Sequence, residues 1–424
     1  AFARTPAVEL LGGRANLFHL ALVSHVTFSL TIWFIAFGGV LWVYAAWRSN
    51  YRLHRGASWA GWAVATAGTT LIAVPAFTAS GTPYLNDYIP VIDHPLFWAG
   101  LVAAFAGVSL QALAYLAAWW RGRRRAEPLE ALGVAVSAIA MVAALATLGL
   151  AWARLDTAQP YTLQLRALFW GAGHLFQFMH TAGMIAVWTI AGAIALGASS
   201  EPARGRGAMW TFVPFVLAGA LVYLVWSPEA LLWNRIVTWV TFIGLGGPTL
   251  PLALVAAGAI LSARRRQALP WSSPLFSSTV LCFALFAVGG VMGVLGLRQD
   301  TRTPAHYHGM VGAVTIAYMG LTPALLELTG RRPWKPWLTK WQPYLYGLGL
   351  IGIMIGLHWA GGRGAPRKTL GFSWADAQAL VAMNLMGAGS LLAIAGGLAF
   401  VVNIGWPLVR SEGRRPCSAP TSSR

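Results

Sequence analysis

The sequence predicts an all-α fold, a polytopic bundle of about eleven transmembrane helices. The first observation is composition: the 424-residue chain is 57% hydrophobic and only 10% charged, whereas soluble globular proteins carry about 25% charged residues. The second is that the apolar residues form runs of about 20 residues, the length at which a helix crosses a bilayer. The third is that basic residues are confined to the loops after alternate runs, which is typical of multi-pass membrane proteins.

The apolar runs follow one another closely, and no stretch between them is long enough for a separate soluble domain. We therefore expect one membrane domain over residues 1–410 and a disordered cytoplasmic tail over residues 411–424. The first run is followed at once by further runs and lacks a small-residue cleavage site, which favours a span over a removable signal peptide. The predicted spans are residues 18–47, 58–80, 95–120, 129–153, 164–197, 208–226, 236–262, 274–298, 305–328, 343–360 and 376–408.

The net charge of +18 would suit a nucleic-acid partner, but its distribution argues against one. Every odd-numbered span is followed by basic residues, and the opposite loops carry the acidic ones. This positive-inside pattern predicts an N-terminus outside and a C-terminus in the cytoplasm of a bacterial inner membrane. The exception follows the tenth span, where Arg363, Arg367 and Lys368 lie on the outer side and call for an anionic partner. The basic clusters begin at Arg48, Arg121, Arg204, Arg264, Arg331 and Arg410; the acidic residues are Asp87, Asp93, Asp156, Glu229 and Asp300.

The cysteine content excludes several cofactors. The two cysteines are Cys282, within the eighth span, and Cys417, in the tail. There is no Cys-x-x-Cys-His sequence for covalent attachment of a c-type heme. There is also no cysteine pair for a binuclear copper centre or an iron–sulfur cluster.

His306 and His308 lie two residues apart at the start of the ninth predicted span. Each residue of an α-helix turns about 100°, so the two imidazoles point to opposite sides of the helix. Each ring offers one nitrogen to a flat metal cofactor on its own side, and paired hemes are the leading candidate. The alternative is two polar residues at a helix mouth, in contact with headgroups or water.

Two further histidines have a similar predicted depth. His25 lies about a third of the way along the first span and His174 at a comparable level in the fifth. Ionisable side chains in the membrane are costly and usually functional. Four histidines in the outer half of the membrane therefore favour a metal-cofactor site, against four separate histidines that are satisfied by their neighbours.

These residues resemble the histidine motifs of subunit I of the heme-copper oxidase superfamily, which includes cytochrome c oxidases and nitric oxide reductases. Ala-His-Tyr-His-Gly at 305–309 is similar to that family's His-x-His helix. The resemblance implies that His306 binds a high-spin heme and that His308 binds a low-spin heme. Leu-Phe-Trp-Gly-Ala-Gly-His at 168–174 resembles the helix with the first histidine of the copper B site.

Two more elements carry the resemblance. His25, followed by Phe37-Gly38-Gly39, is similar to the other axial ligand of the low-spin heme. Gly-Ala-Pro-Arg-Lys at 364–368 resembles the basic pair that holds heme propionates, and it accounts for the positive loop on the outer side. The order and spacing of the elements fit across nearly the whole chain. The eleven spans then resemble the family's helices two to twelve, with the first helix absent.

The chain departs from the family at copper B. The family uses three histidines there, two of them adjacent, and this sequence has no His-His pair; Pro228 and Glu229 stand at the corresponding place. Phe178 stands where oxidases have a tyrosine and where iron-dependent reductases have a glutamate. Phe176 stands at the oxidases' proton-delivering glutamate. A phenyl ring neither ligates metal nor moves a proton, so we expect no copper B and no gas reduction by the family's usual route.

Three functions compete. The first is a heme b electron-transfer subunit of a respiratory complex, with a low-spin heme between His25 and His308 and a second heme at His306. The second is a divergent terminal oxidase or nitric oxide reductase, and the third is a heme-free permease. The third is disfavoured, because most spans lack the polar residues of a permeation path. The first is favoured over the second, from which gas binding would distinguish it. A bis-histidine heme has no open position and passes electrons.

The remaining expectations concern the surroundings of the hemes. His174 either caps the second heme or packs against neighbours. The expected cofactor-binding residues are Trp170, His174, His358, Arg367 and Lys368. The loop 81–91 is expected to cover a heme edge and to meet cytochrome c or another periplasmic redox subunit, or else to be an ordinary interhelical loop. Quinone is the other candidate partner, within a multi-subunit complex in the lipid bilayer.

Overall fold

The computed structural model describes residues 15–123, 127–198, 205–228, 230–296, 298–368 and 376–410. Within these ranges the chain forms thirteen α-helices and one two-stranded hairpin. The strands are β1 (Thr82–Tyr84) and β2 (Val91–Asp93). The helices are α1 (Ala15–Val26), α2 (Trp33–Arg48), α3 (Arg55–Phe77), α4 (Pro95–Gly122), α5 (Leu129–Ala153), α6 (Tyr161–Leu196), α7 (Arg206–Trp210), α8 (Phe212–Val225), α9 (Leu231–Arg266), α10 (Pro274–Val294), α11 (Arg302–Leu328), α12 (Pro336–Gly362) and α13 (Ala377–Val409).

The predicted all-α membrane bundle is confirmed. In the described part of the chain, eleven helical segments are long and apolar enough to cross a membrane, and they match the predicted runs in order. The largest difference at a boundary is α12, which begins at Pro336 rather than at residue 343. Proline suits the first turn of a helix, where an N–H would lack a partner. Lys340 and Gln342 lower the hydropathy of the first turns. The apolar run therefore begins later in the sequence than the helix does.

The first span is not a uniform α-helix. Helices α1 and α2 are joined by a π-helical turn at Thr27–Ile32, after which the backbone N–H of Trp33 bonds the carbonyl oxygen of Phe28, five residues earlier. Such turns accommodate one extra residue in a helix and often lie at functional sites. Here the turn begins two residues after His25.

The first of two compact units contains the described residues of 14–190 and 199–262, which include the first four spans and most of the next three. Helices α3 and α4 approach closely in it, because glycines face each other. A Cβ on Gly68 would lie 2.6 Å from the carbonyl oxygen of Gly100, and a Cβ on Gly107 would lie 2.5 Å from that of Gly61. Small residues allow such close packing where lipid provides no hydrophobic driving force.

The second unit contains residues 191–198 and the described residues from 263 onward, with the last four spans. Helices α10 and α11 meet at Gly289 and Gly309, where a Cβ on Gly309 would lie 2.7 Å from the Cα of Gly289. This contact brings the start of α11, with its two histidines, against the second half of α10. The expectation of a single membrane domain stays a prediction, and the predicted tail 411–424 lies outside the described residues.

The loop after α3 is more ordered than the sequence predicts. Strands β1 and β2 pair antiparallel, with Thr82 opposite Asp93 and Tyr84 opposite Val91. Gly81 introduces the hairpin with φ +91°, a conformation that favours glycine. We call residues 81–94 the hairpin. It was not evident as strands because each strand has only three residues and no alternating pattern.

Candidate functional site

The start of α11 is fixed by an ion pair. The Asp300 carboxylate accepts the backbone N–H of Arg302 at 2.9 Å and pairs with its guanidinium at 2.6 Å. The hydrogen bond from the Arg302 side chain holds the pKa of Asp300 below its usual value. The charged carboxylate also suits the positive end of the helix dipole. The ion pair lies at the start of the helix that carries His306 and His308.

His306 is oriented by the neighbouring helix. Its Nδ1 lies 2.7 Å from the carbonyl oxygen of Gly289 on α10. A carbonyl only accepts, so Nδ1 carries the proton and Nε2 keeps its lone pair. The half-buried ring also lies against Gly293, where a Cβ would come within 2.7 Å of Nδ1. The space that glycine leaves is therefore filled by the imidazole.

His308 has the same tautomer for a local reason. Its Nδ1 lies 2.7 Å from the carbonyl oxygen of Pro304, one turn earlier on α11. Nε2 is again the nitrogen with the free lone pair. Metal-ligating histidines characteristically donate their other ring N–H to a carbonyl or carboxylate, which fixes the ring and the tautomer. Both histidines of the His-x-His segment satisfy that requirement.

His174, on α6, uses both ring nitrogens within the first unit. Its Nδ1 lies 2.7 Å from the carbonyl oxygen of Trp170, and its Nε2 lies 2.9 Å from the hydroxyl of Tyr88 in the hairpin. The side chain is buried, with 4% of the residue exposed. Since Nδ1 donates to a carbonyl, Nε2 is the acceptor and the tyrosine hydroxyl is the donor. Both ring nitrogens of His174 therefore have protein partners, and its role toward a second heme stays a prediction.

His25 is exposed at the end of α1. It lines an open groove of about 540 Å³, and the hydroxyl of Ser29 donates to its carbonyl oxygen at 2.6 Å. Four of the seven residues that line the groove are apolar, namely Ala21, Phe28, Ala76 and Phe77. A histidine in such a wall is the one polar ring that a large apolar cofactor would meet there.

The turn after α12 lies beside the start of α11. Asp300 and Pro366 form an isolated antiparallel bridge, and the backbone N–H of Thr301 donates to Ala365 at 3.0 Å. Arg367 and Lys368, both half-buried, follow immediately, and Lys368 has φ +59°. The structure therefore brings the predicted propionate-binding pair to the helix that carries His306 and His308.

Two other predicted cofactor-binding residues carry an unpartnered buried nitrogen among the described residues. These are Nδ1 of His358 on α12 and the indole Nε1 of Trp170 on α6. Buried polar atoms normally have a hydrogen-bond partner; among the described residues Nε2 of His180 and Nε1 of Trp233 also lack one, so the feature is not confined to these two residues. The predicted site residues divide between the units: His306, His308, His358, Arg367 and Lys368 belong to the second, and His25, Trp170 and His174 to the first.

None of the positions that the resemblance assigns to the rest of the copper site is a histidine. Phe178 is buried edge-on against Phe212, and Phe176 packs on Phe105. Pro228 is buried, and Glu229 lies outside the described residues. In the part of the chain that the structure describes, no group of three or more His, Cys, Asp or Glu residues is arranged to hold a metal ion.

Sequence reasoning missed three residues of this site. Tyr88 was part of an aromatic loop but had no visible connection to His174, 86 residues later. Gly289 and Gly293 were ordinary glycines of a span, whose roles emerge only when α10 packs on α11. By contrast, His54 and His94 have the plain roles that loop histidines suggest, because both cap helices by accepting a backbone N–H.

The sequence was compared with known families and proteins. The profile of the family described as cytochrome c and quinol oxidase polypeptide I matches residues 2–392. An uncharacterised protein of Aquifex aeolicus is 26% identical over 330 residues, which cover 78% of this chain and 80% of that protein. Cytochrome c oxidase subunit 1 of Thermus thermophilus is 24% identical over 388 residues, which cover 83% of this chain and 69% of that protein.

Solved structures give the same result for the fold. The structure of a heme-copper terminal oxidase dimer matches with a TM-score of 0.77 and 18% identity, and the match covers 97% of this chain and 83% of that one. At this identity the likeness shows the fold alone. The profile match spans nearly the whole sequence, and the chain therefore belongs to the cytochrome c and quinol oxidase polypeptide I family.

Proposed function

We propose that this protein is a b-type heme-binding membrane subunit of a respiratory electron-transfer complex, without an intact copper B site. Membership of the family implies heme cofactors and electron transport in a membrane. The finer proposal is that His25 and His308 ligate one low-spin heme and that His306 ligates a second heme. A bis-histidine heme supplies reversible one-electron chemistry and has no position for a gas.

The observation that carries the proposal is the hydrogen bond from Nδ1 of His308 to the Pro304 carbonyl at 2.7 Å. It leaves a neutral imidazole with the Nε2 lone pair available, which is the form that binds iron. It also holds the ring in one orientation before any cofactor arrives, so little rotamer entropy is lost on binding. His306 has the same arrangement through Gly289.

The basic turn supports binding of the heme's acidic groups. Arg367 and Lys368 sit beside the start of α11, and the nearby Asp300 carboxylate is already neutralised by Arg302. Arg367 and Lys368 are therefore proposed to hold the propionates, and His358 to donate its unpartnered N–H to a heme edge or a water there. Trp170 is proposed to be a further cofactor-binding residue, through its unpartnered indole N–H.

The partners follow from charge and orientation. With the N-terminus outside, the turn with Arg367 and Lys368 and the hairpin lie on the outer side. Electrons would pass between cytochrome c or another periplasmic redox subunit and quinone or a second heme. The hairpin carries Asp87 and Asp93, and an acidic surface suits a basic cytochrome through complementary charge. The complex would lie in a bacterial inner membrane.

The alternative is reduction of dioxygen or nitric oxide by a divergent active site. The name of the Thermus relative favours it. The hydrogen bond on Nε2 of His174 and the buried Phe178 oppose it, because neither residue is then available to hold a metal as the family's mechanism needs.

The experiment is the optical spectrum of the dithionite-reduced protein before and after carbon monoxide, with three alanine variants. His25→Ala and His308→Ala should each lose the low-spin bands, while His306→Ala should keep them and lose the second heme. His54→Asn is the control, since asparagine also caps a helix. A low-spin band that survives both His25→Ala and His308→Ala would refute the ligand assignment. If a large fraction of the heme in the unmodified protein binds carbon monoxide, gas reduction replaces electron transfer as the proposed function.

A further inference from the structure

Tyr88 makes a specific, well-supported contact with His174. Its hydroxyl lies 2.9 Å from Nε2, and the two rings are 4.6 Å apart between centroids. Trp170 closes the cluster, with its ring 5.7 Å from Tyr88 and 4.9 Å from His174. The tyrosine therefore covers the ring edge of His174 as well as bonding its nitrogen.

The hairpin is tied down on both sides of Tyr88. The amide of Asn86 donates to the carbonyl oxygen of Leu165 at 3.0 Å, and the hydroxyl of Thr27 donates to that of Pro90 at 3.0 Å. Gly173 provides the room, because a Cβ there would overlap the Cβ and Cγ of Tyr88. Leu165 and Gly173 belong to α6 and Thr27 to the π-helical turn, so two segments of the first unit hold the part of the hairpin that carries Tyr88.

The backbone of Tyr88 is in an unfavourable conformation. Its φ is +68°, a region in which a bulky residue costs of order 1–3 kcal/mol and persists only where its surroundings impose it. Glycine or asparagine would adopt this conformation at lower cost. The contacts of the Tyr88 side chain offset this backbone cost, which points to a role for the side chain.

We propose that Tyr88 is a latch that closes the ligating nitrogen of His174 to metal ions. The hydroxyl proton occupies the Nε2 lone pair that a metal would need, so the histidine stays neutral and metal-free. This inference deepens the proposed function and rests on it, since it supplies the reason that no second metal would sit at His174. Tyr88 acts through His174 and is a positioning residue.

The alternative of a proton relay is excluded by the hydrogen bonds themselves. A proton passed from Tyr88 to Nε2 would have to leave from Nδ1. That nitrogen already donates to the backbone carbonyl of Trp170, which cannot take the proton onward. Tyr88 and His174 therefore do not form a step in a proton-transfer chain.

The test measures whether a metal can reach Nε2. The probe is the rhenium(I) tricarbonyl aqua ion, which binds a single imidazole, and labelled peptides are quantified by mass spectrometry. In the unmodified protein His174 should stay unlabelled while the exposed His54, which has no proposed heme role, reacts. Tyr88→Gly suits the positive φ and removes the ring, so labelling of His174 should rise by about tenfold or more, the factor expected for loss of one hydrogen bond and its cover.

Two further variants make the outcome decisive. Tyr84→Gly removes another hairpin tyrosine, which makes an edge-to-face contact with Tyr161, and should leave His174 unlabelled. Tyr88→Phe keeps the ring and should give a smaller rise; it decides the matter if Tyr88→Gly does not accumulate. The latch is refuted if His174 is labelled in the unmodified protein, if neither Tyr88 variant raises labelling, or if Tyr84→Gly raises it equally.

The same samples separate this inference from the proposed function. The low-spin heme bands depend on His25 and His308, so they should be unchanged in both Tyr88 variants. If the Tyr88 variants and the unmodified protein are labelled equally at His174 while the heme bands are intact, the latch alone is refuted. Absence of low-spin bands from the unmodified protein refutes the heme assignment whatever the labelling shows.

Discussion

The Nδ1 atom of His306 lies 2.7 Å from the carbonyl oxygen of Gly289, one helix away. The contact is possible because α10 and α11 touch at Gly289 and Gly309. It means that the orientation of a proposed heme ligand is set by the packing of two spans and not by α11 alone. Any change that separates the helices should therefore alter the ligand before it alters the fold.

The first prediction follows from Gly293, whose hypothetical Cβ would lie 2.7 Å from Nδ1 of His306. Gly293→Ala should displace the ring and break the bond to Gly289, at a cost of about 1–3 kcal/mol for overpacking. The heme content per chain, measured as the pyridine hemochrome, should fall while the low-spin bands remain. Gly290→Ala is the control, because a Cβ there has nothing within 4 Å. Equal heme contents in both variants would contradict the role given to His306.

The directions of His306 and His308 could be predicted from sequence, because two residues on one helix differ by about 200°. The partners of their Nδ1 atoms could be predicted only in part. Pro304 lies one turn before His308 and follows from the helix itself. Gly289 lies 17 residues before His306 on another span, and no pattern in the sequence gives the register between two apolar helices.

The contacts of the hairpin were even less predictable from the sequence than the contact between His306 and Gly289. The sequence indicated a turn-rich loop with aromatics at 81–91, but Tyr88 reaches His174 only because the hairpin folds back to Leu165 and Thr27. The eleven spans, by contrast, followed from length and hydropathy, which are local properties. Local properties of the sequence thus predicted the spans and the partner of His308, whereas long-range contacts determine partners of His306 and His174.

The second prediction concerns the packing of α12 on α13. A Cβ on Gly389 would lie 2.6 Å from the carbonyl oxygen of Gly349 and 2.7 Å from the backbone nitrogen of Ile353. Both atoms are backbone and cannot move aside, so Gly389→Ala should destabilise the detergent-solubilised protein by about 1–3 kcal/mol. Thermal unfolding measures this. Gly397→Ala, on the same helix with nothing within 4 Å, should leave the unfolding temperature unchanged or raise it.

The third prediction is a pH dependence at the start of α11. Arg302 lowers the pKa of Asp300 in the folded protein, so the carboxylate contributes stability above its unfolded pKa of about 3.9. That contribution is lost as the pH falls through the lower folded value. It should be below about 1 kcal/mol, since the pair is partly exposed.

Asp300→Asn tests that dependence, because the amide can still accept the N–H of Arg302 but carries no charge. The unfolding temperature of the unmodified protein should exceed that of the variant at pH 6, and the gap should close below pH about 4. Asp93→Asn, which removes another loop carboxylate, is the control. The effect of Asp300→Asn on the unfolding temperature should be the same with and without it. A gap that widens on acidification would mean that the ion pair is not the cause.

The fourth prediction concerns Gly173, where a Cβ would overlap the Cβ and Cγ of Tyr88. The backbone of α6 cannot retreat, so in Gly173→Ala the hairpin must move and the hydrogen bond to His174 must lengthen or break. Amide exchange of residues 82–93, followed by mass spectrometry, should then speed up by about tenfold or more, which corresponds to about 1.4 kcal/mol of lost local stability.

Gly192→Ala gives the comparison on the same helix, because its nearest neighbour would be the Cβ of Ala198 at 3.9 Å, an ordinary contact. Exchange of the hairpin should be unaffected in that variant. If Gly173→Ala speeds exchange of the hairpin and also exposes His174 to the rhenium label, the glycine, the tyrosine and the histidine act as one unit. If exchange is unchanged, Tyr88 adapts without moving the hairpin, and the contact with His174 is less constrained than its geometry indicates.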